Sequence, residues 1–191
     1  MYFRQPISIR PARERLLDAA ERVVVESGAT HLTLDAVAKS AGVSKGGLLY
    51  HFPSKEALLQ GMVTRHFHEV DAEVDKRLAS RAGKPSRADI FRERMRVLLE
   101  LNPGRPGVGV AMLAASADNA EQMAVCRAEY RKLLDEFTKL PGGFEGTAQV
   151  LLAVQGLLLA ELLHLSPYTP RERSRLVKAL LRAADQVGST Q

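Results

Sequence analysis

Hydroxyl, phenol, imidazole and ammonium groups are concentrated between residues 33 and 55 of the chain. All four kinds of group can donate hydrogen bonds to anionic oxygens such as those of phosphate. A lysine ammonium can also donate to O6 and N7 of guanine. The residues that carry these groups are Thr33, Ser44, Lys45, Tyr50, His51 and Lys55. The chemistry that this stretch offers is therefore hydrogen bonding to an anionic surface.

Signatures of catalysis are missing from the sequence. It has no G-x-x-x-x-G-K-[ST] loop, no G-x-S-x-G and no H-E-x-x-H. His66 and His68 are two positions apart, so they point to different faces of a helix and are poorly placed to share a metal. We therefore predict no catalytic residue, no metal site, no cofactor and no enzymatic activity.

The donors lie on two short helices joined by a tight corner. Apolar residues of 34–41 repeat at helical spacing, with Thr33 at the N-cap position. Gly42 follows the last of them, where a left-handed residue ends a helix, and Ser44 can cap a second helix that reaches about His51. Two helices joined in this way form a helix-turn-helix, whose second helix enters the major groove of DNA.

The start of the second helix is where side chains reach base edges, and Lys45 lies there. Ser44 could supply a cap bond or a phosphate contact. Gly46 and Gly47 have no side chains to read bases. Either they let backbone N–H groups approach the nucleic acid closely, or they pack tightly against the first helix. With few base-reading side chains here, we expect DNA shape and deformability to contribute to specificity.

The stretch TLDAVAKSAGVSKGGLLYHFPSKEALL resembles the TetR family of bacterial transcriptional regulators. The resemblance implies that Thr33, Tyr50, His51 and Lys55 contact the phosphate backbone. The alternatives are an N-cap for Thr33, half-buried support of the helix pair for Tyr50 or His51, and a solvated charge for Lys55. The family also implies a homodimer on an inverted-repeat operator in double-stranded DNA, more often a repressor than an activator, with a small-molecule effector.

Composition is compatible with that class of protein. The chain has 191 residues and a net charge of +5. Residues 1–55 contain eight Lys and Arg against five acids, so positive charge is denser near the motif. The single cysteine, Cys126, excludes an internal disulfide and fits a reducing cytoplasm; we expect it to be buried, with a redox role as the alternative. The first residues lack the apolar region of a signal peptide, so we predict a cytoplasmic protein.

Helical periodicity continues through the rest of the chain, which predicts an all-α fold of about nine helices. A long helix should begin after Ser54 and run to Gly83, followed by one capped by Ser86, a short one over 110–117 and one over 118–140. We divide the chain into a DNA-binding domain, residues 1–55, and a helical ligand-binding and dimerisation domain, residues 56–191. The long helix would transmit a shift caused by ligand to the recognition helices.

The helix predicted for 144–165 is apolar nearly all round, so it needs burial on all sides. We expect it and the last helix, which begins with a Thr169–Glu172 capping box, to pair with their copies in a second subunit; burial within one subunit is the alternative. The interface candidates are Leu151, Leu158, Leu162, Leu176 and Leu180. Because polar residues interrupt the apolar run, it falls short of a membrane span, and we predict no membrane association.

A ligand pocket in the second domain is implied by the resemblance. Pockets are mostly apolar with a few polar groups. The lining candidates are Met62, Phe91, Met95, Met112, Met123, Phe137 and Gln155. For each apolar candidate the alternative, and the commoner case, is plain core, and Gln155, Glu161 and His164 could orient a ligand or belong to the dimer seam.

Two other functions remain open from the sequence. A DNA-binding protein that needs no ligand would have a solid second domain, and a thermal shift with candidate ligands distinguishes it. A helical small-molecule-binding protein or enzyme would lack the steep salt dependence of DNA binding.

Overall fold

The computed structural model describes residues 11–80, 83–101 and 124–189, and these residues form helices without a β-strand. A short 3-10 turn, Ala29–His31, follows the first helix. The α-helices are α1 (Ala12–Ser27), α2 (Leu34–Ala41), α3 (Lys45–His51), α4 (Lys55–Ala79), α5 (Arg87–Leu101), α6 (Ala124–Phe137), α7 (Gly143–Leu162) and α8 (Pro170–Gly188). The all-α prediction is confirmed. The helix expected at 110–117 lies outside the described residues.

Helices α1 to α3 and the first two turns of α4 share one apolar core, which we call the head. Leu17, Val37, Leu48 and Leu58 are fully buried in it, one from each helix. Met62 of α4 also lies in this core at 1% exposure. Its prediction as a pocket residue is wrong, because its side chain packs with the head and away from the apolar cluster of the later helices.

Helices α5 to α8, together with the middle of α4, enclose a second core, which we call the body. Phe91, Met95 and Phe137 are fully buried there with Val154, and the rings of Phe91 and Phe137 lie 4.9 Å apart between centroids. Cys126 is buried in the same core, where burial raises the pKa of its thiol. The thiolate is thereby disfavoured, which supports the small apolar role for this residue.

Helix α4 takes part in both cores. It is 25 residues long, or about 37 Å at the usual helical rise. Its Leu58 packs in the head, and Phe67 packs in the body. The helix ends at Ala79, before the predicted Gly83, and the Ser80 hydroxyl donates to the carbonyl of Arg77 at 2.8 Å. A side-chain donor of this kind competes with continuation of the helix.

Ion pairs hold α4 against its neighbours at both ends. Arg65, only 9% exposed, contacts Asp18 at 2.7 Å and Glu21 at 2.5 Å, both on α1. Further along, Arg77 bonds Glu73 on its own helix at 2.8 Å and reaches Glu100 of α5 at 2.6 Å. Arg94 and Asp71 form another α5–α4 pair. A buried ion pair constrains geometry even where its net stabilisation is small.

The predicted helix starts at Ser86 and Thr169 are confirmed, the start predicted at 118 lies outside the described residues, and two more helix ends differ from the prediction. The Ser86 hydroxyl accepts from Asp89 N–H at 3.1 Å, and the Thr169–Glu172 capping box is complete. Helix α6 ends at Phe137 instead of 140, where the buried Thr147 hydroxyl donates to the Phe137 carbonyl at 3.0 Å. Helix α7 ends at Leu162 because His164, with φ of 55°, reverses the chain in a left-handed conformation.

Within the part of the chain that the structure describes, one side of α7 is covered and the other is exposed. Val154 is fully buried, whereas Leu152 is 68% exposed and Leu159 is 43% exposed. Helix α7 has 20 residues, and a stretch of 18 of them has a mean hydropathy of 1.3, so by length and composition alone it could cross a membrane, although the sequence predicted that it falls short of a span. The core helix of a soluble protein meets the same criteria.

Gly61 marks the point where α4 approaches the rest of the head most closely, and it provides a test of this packing. A Cβ on Gly61 would lie 2.7 Å from Cε1 of the buried Phe52 and 3.3 Å from Cδ2 of Leu17. We expect Gly61→Val to lower the free energy of unfolding by about 1–3 kcal/mol through overpacking, measured by urea denaturation. Gly46→Ala is the matched control, since its Cβ would meet nothing within 4 Å. Equal stability of both variants would contradict the packing described.

Candidate nucleic-acid interface

The corner between α2 and α3 has the predicted backbone geometry. Thr33 caps α2, its hydroxyl oxygen accepting from Ala36 N–H at 3.1 Å. Gly42 has φ of 68°, a left-handed conformation that costs other residues more than glycine. Ser44 caps α3 by accepting from Gly47 N–H at 3.1 Å. Each cap hydroxyl keeps its own hydrogen, so each can still donate to a phosphate oxygen.

One side of α3 is anchored and the other faces solvent. Leu48 and Phe52 are buried in the head. Tyr50 is 85% exposed and its ring stands edge-on to His51, with 5.0 Å between centroids. Lys45, the first residue of α3, is exposed as well. The buried residues therefore hold α3 so that its cation and its phenol point outward.

The exposure of the eight predicted DNA-contact residues is consistent with their assigned role. Seven are exposed and one, His51, is half-buried. The seven are Thr33, Ser44, Lys45, Gly46, Gly47, Tyr50 and Lys55. Tyr50 is too exposed to be a half-buried support of the helix pair, whereas that alternative is still open for His51.

The two glycines of α3 are not explained by close packing. A Cβ at Gly46 would meet no atom within 4 Å, and one at Gly47 would make an ordinary 3.4 Å contact with Ser44 Oγ. The alternative that they pack tightly against the preceding helix is therefore wrong. Because both glycines lack a side chain, the backbone of α3 is uncovered on its exposed side.

Sequence reasoning missed one member of this surface, Asp35. Its carboxylate lies 3.0 Å from the Lys45 ammonium, and both side chains are more than half exposed. The sequence suggested only that Asp35 suits the positive end of the α2 dipole. A contact between residues ten positions apart on different helices has no periodic signature, so no pattern in the sequence could have indicated it.

The predicted ligand-pocket residues do not form one group. Phe91, Met95 and Phe137 lie together in the body, and Gln155 on α7 is half-buried. Met112 and Met123 lie outside the described residues. Glu161, left open between ligand and interface, is bound by Arg173 of α8 at 2.5 Å, so it links the two last helices.

An open groove of about 560 Å³ lies along α8 and differs from the predicted pocket. It is lined by Tyr168, Glu172, Arg175, Leu176, Lys178, Ala179 and Arg182. Of these residues only Leu176 was predicted to be functional, as an interface residue.

The interface candidates on α7 and α8 need one correction. Leu151 is 6% exposed and belongs to the core of its own subunit, so it has little surface to offer a partner. Four others are half-buried: Leu158, Leu162, Leu176 and Leu180. The most exposed leucines of α7 and its C-cap were not selected: Leu152, Leu159 and the C-cap residue Leu163. Their spacing of seven and four residues places them on one helix face, a signal present in the sequence.

Two family profiles match the chain. The first, described as "Bacterial regulatory proteins, tetR family", covers residues 16–62, the head and the start of α4. The second, described as "Tetracyclin repressor-like, C-terminal domain", covers residues 88–185, which is more than half of the chain. Together they span the corner at Gly42 and nearly all of the body helices.

Curated relatives match over part of the chain, and the chain matches less than half of their length. The HTH-type transcriptional repressor KstR of Mycobacterium tuberculosis is 31% identical over 94 residues, covering 49% of this chain and 43% of the relative. In the other curated relatives compared, the match covers between 28% and 46% of their length. The relatives are transcriptional regulators and not enzymes.

Solved structures agree over almost the whole chain. A transcriptional regulator from Rhodococcus sp. Rha1 has a TM-score of 0.66 at 23% identity, covering 92% of this chain and 97% of its own. The multidrug binding protein EbrR, solved with imidazole, has a TM-score of 0.62 at 24% identity, covering 91% and 94%. Identities this low support the fold alone. With a body profile over half of its residues and a helix-turn-helix profile over the head, the chain belongs to the TetR family of bacterial transcriptional regulators.

Proposed function

We propose that the protein is a cytoplasmic repressor that binds an inverted-repeat operator as a homodimer and releases it when a small molecule binds the body. The observation that carries the DNA-binding part is the outward face of α3, with Lys45 and Tyr50 exposed beside a corner capped by Thr33 and Ser44. Repression is favoured by similarity to KstR, whose name describes a transcriptional repressor. We assign DNA binding to residues 1–55, and ligand binding and dimerisation to 56–191.

The exposed donors divide into two roles. Lys45 begins the recognition helix and is the side chain best placed to reach base edges. The hydroxyls of Thr33 and Ser44, with Tyr50, His51 and Lys55, suit phosphate oxygens, which fix position on the duplex without reading sequence. Backbone at Gly46 and Gly47 can approach DNA closely because no side chain stands in the way.

The uncovered side of α7 supports a dimer. Leu152, Leu159 and Leu163 leave apolar surface in water that a second copy of the helix would cover. Of the predicted interface residues, Leu158, Leu162, Leu176 and Leu180 are half-buried and adjoin the body core or its margin. A symmetric dimer presents two recognition helices, which must meet half-sites about 34 Å apart on one face of the duplex.

The attachments of α4 support coupling between the body and DNA. Arg65 ties α4 to α1 of the head, and Arg77 ties it to α5 of the body. A ligand that prefers one arrangement of the body would therefore bias the position of the head through α4. Binding of a small molecule by the structural neighbour EbrR makes an effector reasonable. Phe91, Met95, Phe137 and Gln155 stay our candidates for its site.

Selection of bound sites from a random duplex library tests the proposed function directly. We expect an enriched palindrome, bound by a dimer with an affinity that falls roughly 10³-fold or more between about 50 and about 200 mM salt if six or more phosphates are contacted. Sedimentation equilibrium gives the oligomeric state. No enriched palindrome, or binding that is insensitive to salt, would refute the proposal.

Two lysines separate base reading from phosphate contact. Lys45→Ala should weaken operator binding by about 1–3 kcal/mol more than it weakens binding to random duplex, because it removes a base-edge donor. Lys55→Ala should weaken both about equally and reduce the salt slope by about 1. Titration by fluorescence anisotropy at several salt concentrations measures both quantities. The reverse pattern would mean that the two roles are exchanged.

The dimer surface is tested by placing a charge on it. Leu152→Arg should cost about 2 kcal/mol or more of dimerisation free energy, because it puts an unpaired cation into an apolar contact. Operator affinity should fall with it, measured alongside sedimentation equilibrium. Val25→Arg is the matched control, because Val25 of α1 is 62% exposed and Leu152 is 68% exposed. A Leu152→Arg protein that is still dimeric would place the interface elsewhere.

A further inference from the structure

The ion pair between Asp35 and Lys45 joins the two helices of the DNA-binding corner. The Asp35 carboxylate oxygen lies 3.0 Å from the Lys45 ammonium, at hydrogen-bonding distance. Asp35 lies in the first turn of α2, and Lys45 is the first residue of α3. An acidic residue therefore lies on the surface that, in the proposed function, faces the negatively charged DNA.

Stability alone is a weak explanation for this pair. The side chains are 57% and 69% exposed, and ion pairs at such positions contribute little to folding. The corner is already held by the Thr33 and Ser44 caps and by the left-handed Gly42. The effect of Asp35 is therefore better sought in what it does to Lys45.

A free lysine has a flexible stem of four carbons, and its ammonium can turn to any phosphate within reach. Paired with Asp35, the ammonium is held by one of its three donors, and the other two are still available. Those two can serve O6 and N7 of a guanine. Because the Lys45 side chain is already held before binding, less side-chain conformational entropy is lost when it contacts DNA.

We propose that Asp35 is a specificity-determining residue that acts through Lys45. Its carboxylate disfavours contact with any phosphate backbone, and it holds the Lys45 ammonium for a base edge in the operator. Binding to random DNA is weakened by repulsion between the Asp35 carboxylate and phosphate. Binding to the operator is weakened in the same way but is also strengthened by the positioned Lys45 ammonium. This inference rests on the proposed DNA-binding function, and it assigns a role to a residue outside the predicted contact set.

The test compares operator with random duplex for the full-length protein and for Asp35→Asn. We expect Asp35→Asn to increase the affinity for random duplex, and to increase the affinity for operator by a smaller factor. The specificity ratio, which is operator affinity divided by random-duplex affinity, should therefore fall about threefold to fivefold, the range open to an exposed ion pair. Asp35→Glu keeps the charge and should restore most of the ratio. Glu26→Gln, which removes an exposed acid from α1, is the control for net charge and should leave the ratio unchanged.

A second pair of proteins shows whether Asp35 works through the lysine. In a Lys45→Met background, Asp35→Asn should no longer change the specificity ratio, because the side chain it positions is gone. An unchanged ratio in the wild-type background, or an equal fall in both backgrounds, would overturn the inference. The outcome is separable from failure of the proposed function, which would show as no enriched duplex for the wild-type protein.

Discussion

The packing of α4 in two cores at once is the constraint on which the rest of the structure depends. Its first turns complete the head, where Met62 is buried, and its middle lies in the body, where Phe67 is buried. Gly61 permits this because its missing side chain lets Phe52 lie against the helix. Because α4 contributes buried residues to both cores, the head and the body are joined through one helix.

Charge strengthens the same arrangement. Arg65 is nearly buried among carboxylates of α1, and further along α4 Arg77 and Asp71 pair with residues of α5. Pairs of this kind favour one register between helices more than they add stability. The head is thereby attached to the body by directional contacts as well as by apolar packing. This attachment is the route that our proposed function assigns to the effect of a ligand on operator binding.

The surface around α3 differs from the two cores, because the side chains that we assign to DNA contact are exposed. Leu48 and Phe52 pack α3 against the head. The exposed side of α3 carries the Lys45 ammonium, the Tyr50 phenol and backbone that no side chain covers. In the proposed function a single lysine reads few bases, so we expect the bending of the duplex towards two heads to add to discrimination. In our further inference, the Asp35–Lys45 pair has the role of making that lysine more selective.

Helix starts, caps and the corner at Gly42 could be predicted from the sequence because they depend on neighbours three or four residues away. Thr33, Ser44, Ser54 and Thr169 all cap as expected. Family membership was readable for the same reason, since its motif is one continuous stretch. Helix ends were less predictable: His164 and Thr147 act there through a backbone conformation and a distant hydrogen bond.

Contacts between separate helices were settled by tertiary packing. Met62 packs in the head, Leu151 is buried in the core of its own subunit, and Asp35 forms an ion pair with Lys45 across the corner. Periodicity reports which face of a helix is apolar, but it does not report which neighbour covers that face. The physical reason is that burial and ion pairing depend on distances between segments far apart in the chain, and those distances exist only once the helices have packed.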